Sequence, residues 1–117
     1  MDDKKTGIRQ NLTNYGDLGF STFLRKSFIK GLGYSDEMLD KPIVGIINTF
    51  SNYNSCHGNV PDLIQSLRAG VLAKGAIPLE FPTISVHEAF TYPTSMYLRN
   101  LMAMDTEEMI RAQPMDS

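Results

Sequence analysis

A strand, a helix and a second strand follow one another in the middle of the chain, and this order constrains the fold more than any other feature. The run IVGII after Pro42 is short, unbroken and β-branched, as in a strand covered on both faces. Asn59 can cap the helix that follows, and Gly75 can end it. The run LEFPTISV is a second strand that its prolines keep short, so the pattern predicts a βαβ unit with parallel strands. The predicted apolar stripe of the helix consists of Val60, Leu63, Ile64, Leu67 and Val71.

Segments on either side of this unit predict further helices. Apolar residues recur at helical spacing from Asp17 to Gly33, which indicates an amphipathic helix that docks on a neighbouring surface. In the last third we expect a helical turn and then a helix that Asp105 caps, with Glu108 in the capping-box position. Residues 1–16 are polar and lack periodicity, so we expect an extended or capping arm. The predicted fold class is α/β, a partial layered domain with a parallel βαβ unit flanked by helices.

Composition narrows the classes of partner. At 117 residues the chain fits one compact domain or part of one, and 42% hydrophobic residues are ordinary for a globular protein. A net charge of −2 supplies no basic field, so we expect neither nucleic acid nor a membrane as partner. The N-terminus lacks the apolar core of a signal peptide, and the longest apolar runs are too short to cross a bilayer. A cytoplasmic location is the expectation.

Reactive side chains follow each of the two predicted strands. In an open α/β sheet the ligand crevice lies outside the carboxyl ends of the parallel strands. The loop after the first strand carries Cys56 and His57, and the loop after the second carries Ser85, His87 and Glu88. We therefore expect a thiol, an imidazole and a carboxylate to share one edge of the sheet.

Structural explanations compete with each of these functional interpretations. A lone cysteine is most often a buried hydrophobe, and Cys56 has no partner for an internal disulfide. A glutamate such as Glu88 is most often solvated, and two distant histidines have no metal-site spacing. A reactive thiol in a redox protein is a further alternative. From the residues alone, the sequence indicates a crevice but names no reaction.

Three segments, NYNSCHGNVP, EFPTISVHEAF and PTSMYLRNLMAMDTEEMIRAQPMD, resemble the N-terminal part of the dihydroxy-acid dehydratase and 6-phosphogluconate dehydratase family. They are most similar to the branch that dehydrates sugar acids such as pentonates, and the resemblance covers about Asn11 to Asp116. It implies a homo-oligomeric hydro-lyase with a small-molecule substrate. Such an enzyme converts a 2,3-dihydroxy sugar acid into a 2-keto-3-deoxy acid, using a 2Fe-2S cluster and Mg²⁺.

The resemblance also implies roles for individual residues. Cys56 matches the first of three cysteine ligands of the iron-sulfur cluster, and Glu88 matches an acidic ligand of Mg²⁺. Ser85, His87 and His57 match positions that line the substrate site, and no catalytic residue is implied within this segment. The residue types agree with these roles, because thiolate is a soft ligand that suits iron-sulfur clusters and carboxylate is a hard ligand that suits magnesium.

The chain departs from the family pattern in two places. Ser55 stands where many relatives have proline, which changes the stiffness of the loop but removes no ligand. The family pattern also continues past QPMD into a strand and a Gly-Gly-Cys-Asp-Lys segment that carries further ligands, whereas this sequence stops at Ser117. We therefore expect residues 1–117 to be the N-terminal segment of the N-terminal domain of a larger two-domain dehydratase, inactive by itself. The alternative is a truncated, non-catalytic remnant or a docking module for a full-length dehydratase.

Overall fold

A parallel two-stranded sheet lies at the centre of the computed structural model, which describes residues 6–12 and 15–117. Strand β1 spans Ile43–Asn48 and strand β2 spans Ile77–Pro82, and the two are paired residue for residue along their whole length. This arrangement confirms the predicted βαβ unit and the α/β fold class. The buried core around the sheet consists of Ile8, Leu39, Ile43 and Ile77.

Helices pack around this sheet, and the connection between its two strands is itself helical. The predicted N-terminal helix and the predicted helix of the βαβ unit are both present, and both begin within one residue of their expected start. No helix among the described residues is long and apolar enough to cross a membrane. The α-helices are α1 (Leu18–Lys30), α2 (Asp36–Leu39), α3 (Val60–Ala73) and α4 (Ser95–Ala112), and single turns of 3-10 helix lie at Gly7–Arg9, Ser55–His57 and Glu88–Phe90.

The N-terminal arm is more closely integrated into the core than its polar sequence suggests. Residues 1–5 and 13–14 of this arm lie outside the described residues. Ile8 and Leu12 are buried, with 2% and 6% of their surface exposed. Gly7 has a φ of +59°, and a Cβ placed on it would lie 2.7 Å from the carbonyl oxygen of Lys41. The extended alternative for this arm does not describe the turn at Gly7–Arg9, and the burial of Ile8 and Leu12 was not predicted, because two apolar residues are too few to produce a periodic pattern.

Arg25 holds this arm against α1. Its guanidinium donates hydrogen bonds to the carbonyl oxygens of Ile8, Gln10 and Asn11, with lengths of 2.8 Å to Ile8 and 2.9 Å to Asn11. Burial of the guanidinium lowers the pKa of Arg25 from its usual value. Three backbone carbonyls that lack helix or sheet partners are therefore satisfied by one side chain.

The last two residues, Asp116 and Ser117, pair with the free edge of β1. The backbone N–H groups of Asp116 and Ser117 donate to the carbonyl of Ile43, at 2.8 and 3.3 Å, and the N–H of Gly45 donates to Ser117 at 2.7 Å. This is the slanted pattern of parallel strands, so β1 is paired along part of both edges. The Asp116 carboxylate adds three bonds, because it accepts from the backbone N–H groups of Ile43 and Gly7 and from the side-chain amide of Gln10.

Within the described structure the predicted apolar face of α1 is largely open to solvent, and that of α3 is partly open. Of the five stripe residues of α3, Ile64 is buried, whereas Leu63 and Leu67 are at least half exposed. On α1, Phe23 and Phe28 are 62% and 79% exposed. The surface on which the α1 face was expected to dock is therefore not supplied to these aromatic residues by the described part of the chain.

Asn59 lies at the predicted N-cap position of α3 but does not cap it through its side chain, and the predicted cap of α4 was wrong. The side chain of Asn59 makes no capping hydrogen bond with the described residues, and its backbone already has helical angles, with a φ of −90° and a ψ of −4°. The helical turn and the capped helix expected in the last third form one continuous helix, for which Thr94 is the N-cap. Asp105 lies inside this helix, since no proline or glycine interrupts the segment from Ser95 to Ala112.

Candidate functional site

The loops after β1 and β2 lie at the same edge of the sheet, and Asn54 joins them. The side chain of Asn54 is almost completely buried, with 4% exposed. Its Nδ2 lies 3.2 Å from the hydroxyl oxygen of Ser85 and 3.2 Å from the carbonyl oxygen of Val86. The predicted convergence of the two loops is therefore confirmed. The residue that connects them, Asn54, was not among the predicted site residues.

Cys56 lies on the 3-10 turn that ends the first of these loops, and it is exposed. Backbone hydrogen bonds from Asn54 to Ser51 and from His57 to Asn54, at 2.9 and 3.1 Å, hold the turn in shape. The interpretation of Cys56 as a buried hydrophobe was wrong, because the thiol is accessible from solvent. An exposed thiol on an ordered turn is available as a metal ligand.

His57 is fixed by a hydrogen bond that also determines where its proton lies. Its Nδ1 is 2.9 Å from the carbonyl oxygen of Thr49, which accepts only, so Nδ1 donates. The two amide hydrogens of Asn54 are then left for Ser85 and Val86, although Nδ1 of His57 lies at a similar distance. When the ring is neutral, Nε2 of His57 carries a lone pair and can accept a proton or a hydrogen bond.

His87 is held in the opposite tautomer. Its Nδ1 accepts a hydrogen bond of 3.1 Å from the backbone N–H of Ala89, so its proton lies on Nε2. The ring also lies near that of Phe90, with 5.8 Å between the ring centroids. The edge of the sheet therefore offers one imidazole that can accept a hydrogen bond and another that can donate one.

Glu88 is exposed, yet it is anchored at the start of α4. One carboxylate oxygen, Oε2, accepts from both the hydroxyl and the backbone N–H of Ser95, and the N–H bond is 2.8 Å long. The other, Oε1, accepts from the hydroxyl of Thr94 at 2.9 Å. The Ser95 hydroxyl most of all, then the Ser95 N–H, Thr94 and the charge of Arg99 lower the pKa of Glu88, so the carboxylate stays ionised in neutral solution.

Asp105 fixes the second loop from the middle of α4. Its Oδ2 accepts a hydrogen bond of 3.0 Å from the backbone N–H of Ile84, just after the end of β2. This contact gives Asp105 a structural role in place of the predicted helix cap. Asn54, Ser95 and Asp105 all shape the site, but none has a local sequence signal, because their partners lie 7 to 32 residues away.

Replacing Asp105 with alanine should lower the free energy of unfolding by about 1.5 kcal/mol, because the N–H of Ile84 would lose its acceptor. Urea unfolding measures this change. Glu108→Ala is the matched control, since Glu108 is exposed on the same helix, and it should cost no more than about 0.5 kcal/mol. Losses of about 1 kcal/mol or more for both variants would instead support the capping box.

The Cys56 thiol suits an iron-sulfur cluster and the Glu88 carboxylate suits Mg²⁺, but the described residues do not complete either site. Within residues 6–12 and 15–117, no group of three or more His, Cys, Asp or Glu side chains lies close enough to hold a metal ion. Cys56 offers one accessible soft ligand. Glu88 offers one hard ligand, since three of the four lone-pair positions of its carboxylate are occupied and one, on Oε1, is left. The described part of the chain therefore places one soft and one hard candidate donor at this edge of the sheet.

Comparison with known proteins identifies relatives of this arrangement. Residues 41–117 match the family described as dihydroxy-acid/6-phosphogluconate dehydratase N-terminal. The chain is 39% identical over 103 residues, 87% of its length, to L-arabinonate dehydratase from Rhizobium leguminosarum bv. trifolii. It is 41% identical over 81 residues, 69% of its length, to 6-deoxy-6-sulfo-D-gluconate dehydratase from Pseudomonas putida.

A third relative comes from another part of the family. The chain is 31% identical over 106 residues, 85% of its length, to dihydroxy-acid dehydratase from Carboxydothermus hydrogenoformans. The matched regions make up 18%, 14% and 19% of these three relatives, so the chain spans about a fifth of their length or less. The family match covers most of the chain, including β1, β2 and both loops of the candidate site. The chain therefore belongs to the dihydroxy-acid/6-phosphogluconate dehydratase family.

Proposed function

We propose that this chain contributes the Cys56 and Glu88 loops to a hydro-lyase that dehydrates a sugar acid to a 2-keto-3-deoxy acid. Family membership supports a dehydratase. The substrate class rests on the relatives, because identity is higher to the two dehydratases named for sugar acids than to the one named for dihydroxy acids. A polyhydroxylated carboxylic acid is therefore the proposed substrate.

The observation that carries this proposal is the link through Asn54 between the two loops. This link holds the loop with the Cys56 thiol and the loop with the Glu88 carboxylate at one edge of the sheet. A dehydratase that uses both an iron-sulfur cluster and Mg²⁺ needs a soft ligand for the first and a hard ligand for the second. In the proposal, Cys56 is one ligand of a 2Fe-2S cluster and Glu88 is one ligand of Mg²⁺. When bound, these groups supply Lewis acidity to the hydroxyl and carboxylate oxygens of the substrate.

Residues of this chain would then orient the substrate. In the described tautomers, Nε2 of His57 can accept a hydrogen bond and Nε2 of His87 can donate one. A hydroxyl group of a sugar acid could donate to His57, and a carboxylate or hydroxyl oxygen could accept from His87. Ser85 already accepts from Asn54 and keeps its own hydroxyl hydrogen for a further acceptor. We propose that these residues bind the substrate. We do not propose that any of them is the base that removes the C2 proton.

The proposal is tested by expressing the complete coding sequence without oxygen, loading the protein with iron, sulfide and Mg²⁺, and trapping 2-keto acids with semicarbazide. We expect turnover of pentonates or hexonates, with kcat/KM about 10-fold or more above that for a branched 2,3-dihydroxy acid. The 117-residue chain alone is the control, and it should not turn over, because it contributes one ligand to each group. A fully loaded protein that produces no keto acid from either substrate class would refute the proposal.

A docking role is the second candidate, and the exposed apolar side chains favour it. In this case the chain would bind a dehydratase of the same family without supplying a cluster ligand. Size-exclusion chromatography with a full-length relative distinguishes the two candidates, since a docking module would form a complex that survives Cys56→Ala with unchanged iron content. The exposed apolar residues concerned include Leu18, Phe20, Phe23, Phe28, Leu32, Met96, Tyr97, Leu101, Met104 and Ile110.

A further inference from the structure

The start of α4 is built around the carboxylate of Glu88. Ser95, the first residue of the helix, is 2% exposed, and both its hydroxyl and its N–H donate to Oε2 of Glu88. Thr94 donates to Oε1 and also serves as the helix cap, because its hydroxyl oxygen accepts from the N–H of Met96 at 3.4 Å. The helix thus has a cap of its own, and the Ser95 hydroxyl is directed at the carboxylate.

These contacts leave the carboxylate of Glu88 with a defined free position. The two donors of Ser95 occupy both lone-pair positions of Oε2, and Thr94 occupies one of the two on Oε1. The remaining position on Oε1 is therefore the one at which a metal ion would displace none of these hydrogen bonds. The orientation of the carboxylate, and with it the position of that lone pair, depends on Ser95.

We propose that Ser95 is a positioning residue for a magnesium site. Its two hydrogen bonds hold the Glu88 carboxylate in the orientation in which Oε1 would bind the metal. This inference rests on the proposed function, in which Glu88 binds Mg²⁺. Groups that hydrogen-bond to metal ligands commonly change metal affinity by about 10- to 100-fold when they are removed. Ser95 acts through Glu88 and is not itself a ligand.

The test uses the protein expressed from its complete coding sequence, with Mg²⁺ binding measured by isothermal titration calorimetry. Ser95→Ala removes the hydroxyl but keeps the backbone N–H, and alanine is well tolerated at the start of a helix. We expect the dissociation constant for Mg²⁺ to rise about 10- to 100-fold. Ser66→Ala is the matched control, since it removes an exposed hydroxyl from the middle of α3 and should leave the constant unchanged.

Further measurements separate positioning from a purely structural role. Far-UV circular dichroism and thermal unfolding of the metal-free protein should show that Ser95→Ala keeps its helix content. Thr94→Ser keeps a hydroxyl at the second contact and should retain near-normal Mg²⁺ affinity, whereas Thr94→Val should weaken it. A Ser95→Ala protein with the melting temperature lowered but the Mg²⁺ constant unchanged would overturn the inference.

Glu88→Ala distinguishes failure of this inference from failure of the proposed function. We expect this variant to lose Mg²⁺ binding at the site. If Glu88→Ala lost binding and Ser95→Ala bound normally, the positioning role alone would be refuted. If Glu88→Ala bound Mg²⁺ as well as the unmodified protein, both the positioning role and the assignment of Glu88 as a ligand would be refuted.

Discussion

Under the proposed function, replacing Cys56 with serine should prevent the protein expressed from its complete coding sequence from holding an iron-sulfur cluster, and dehydration of sugar acids should fall to background. Serine offers a hard, weakly acidic oxygen in place of the soft thiolate that a cluster requires. Cys56 is the only cysteine in the 117 residues, so no neighbouring thiol of this chain can replace it. Iron and acid-labile sulfide per protein should both fall at least about 10-fold, together with visible absorbance.

Two controls show whether this loss is specific to the thiol. Ser55→Ala changes the preceding residue of the same exposed turn and should keep the cluster. The free energy of unfolding of the cluster-free Cys56→Ser protein should lie within about 0.5 kcal/mol of that of the unmodified cluster-free protein, because Cys56 is exposed. Retention of stoichiometric iron and sulfide by Cys56→Ser would show that Cys56 is not a cluster ligand.

Gly7→Ala should lower the free energy of unfolding by about 3 kcal/mol, a larger loss than that expected for Asp105→Ala. With a φ of +59°, an alanine at this position would occupy the left-handed region, which costs about 1 kcal/mol. Its Cβ would also lie 2.7 Å from the carbonyl oxygen of Lys41, which is backbone and cannot rotate away. The shift needed to relieve this contact would disturb the hydrogen bond of 2.9 Å from the N–H of Gly7 to Asp116.

Gly75→Ala separates the two contributions to this loss. Gly75 also has a positive φ, +80°, but nothing lies within 4 Å of the position of its Cβ. Gly75→Ala should therefore cost only about 1 kcal/mol, and the difference between the two variants measures the steric contact. Urea unfolding gives both values. Equal losses for the two variants would show that the arm moves freely and does not pack against Lys41.

The sequence predicted the elements whose signals are local. β1 follows a proline and four of its six residues are β-branched, and Gly75 has the positive φ expected of a residue that ends α3. The shared edge of Cys56 and Glu88 was predictable as well, because parallel strands place their carboxyl ends together whatever their side chains are. Because the two strands are parallel, Cys56 and Glu88 lie at the same edge of the sheet although they are far apart in the sequence.

Contacts between distant residues account for what the sequence did not predict. Asp116 bonds to residues 73 and 109 positions away, and Asp105 bonds to one 21 positions away. A carboxylate in such a contact looks like a capping or solvated residue, since only the folded chain shows which N–H group it faces. The anchoring of Glu88 by Ser95 was missed for the same reason, although the two residues are only seven apart.

The pairing of β1 on both edges has a consequence for the shape of the crevice. The chain leaves β1 for β2 on one side and later returns past β1 to place Met115–Ser117 on the other. The loop that carries Cys56 therefore starts from a strand that is hydrogen-bonded on both sides. Its buried residue Asn54 bonds to Ser85 and Val86, so the loop after β2 is held against a segment that is itself anchored in the sheet. One wall of the crevice is thus built on the central, doubly paired segment of the sheet and not on an edge strand.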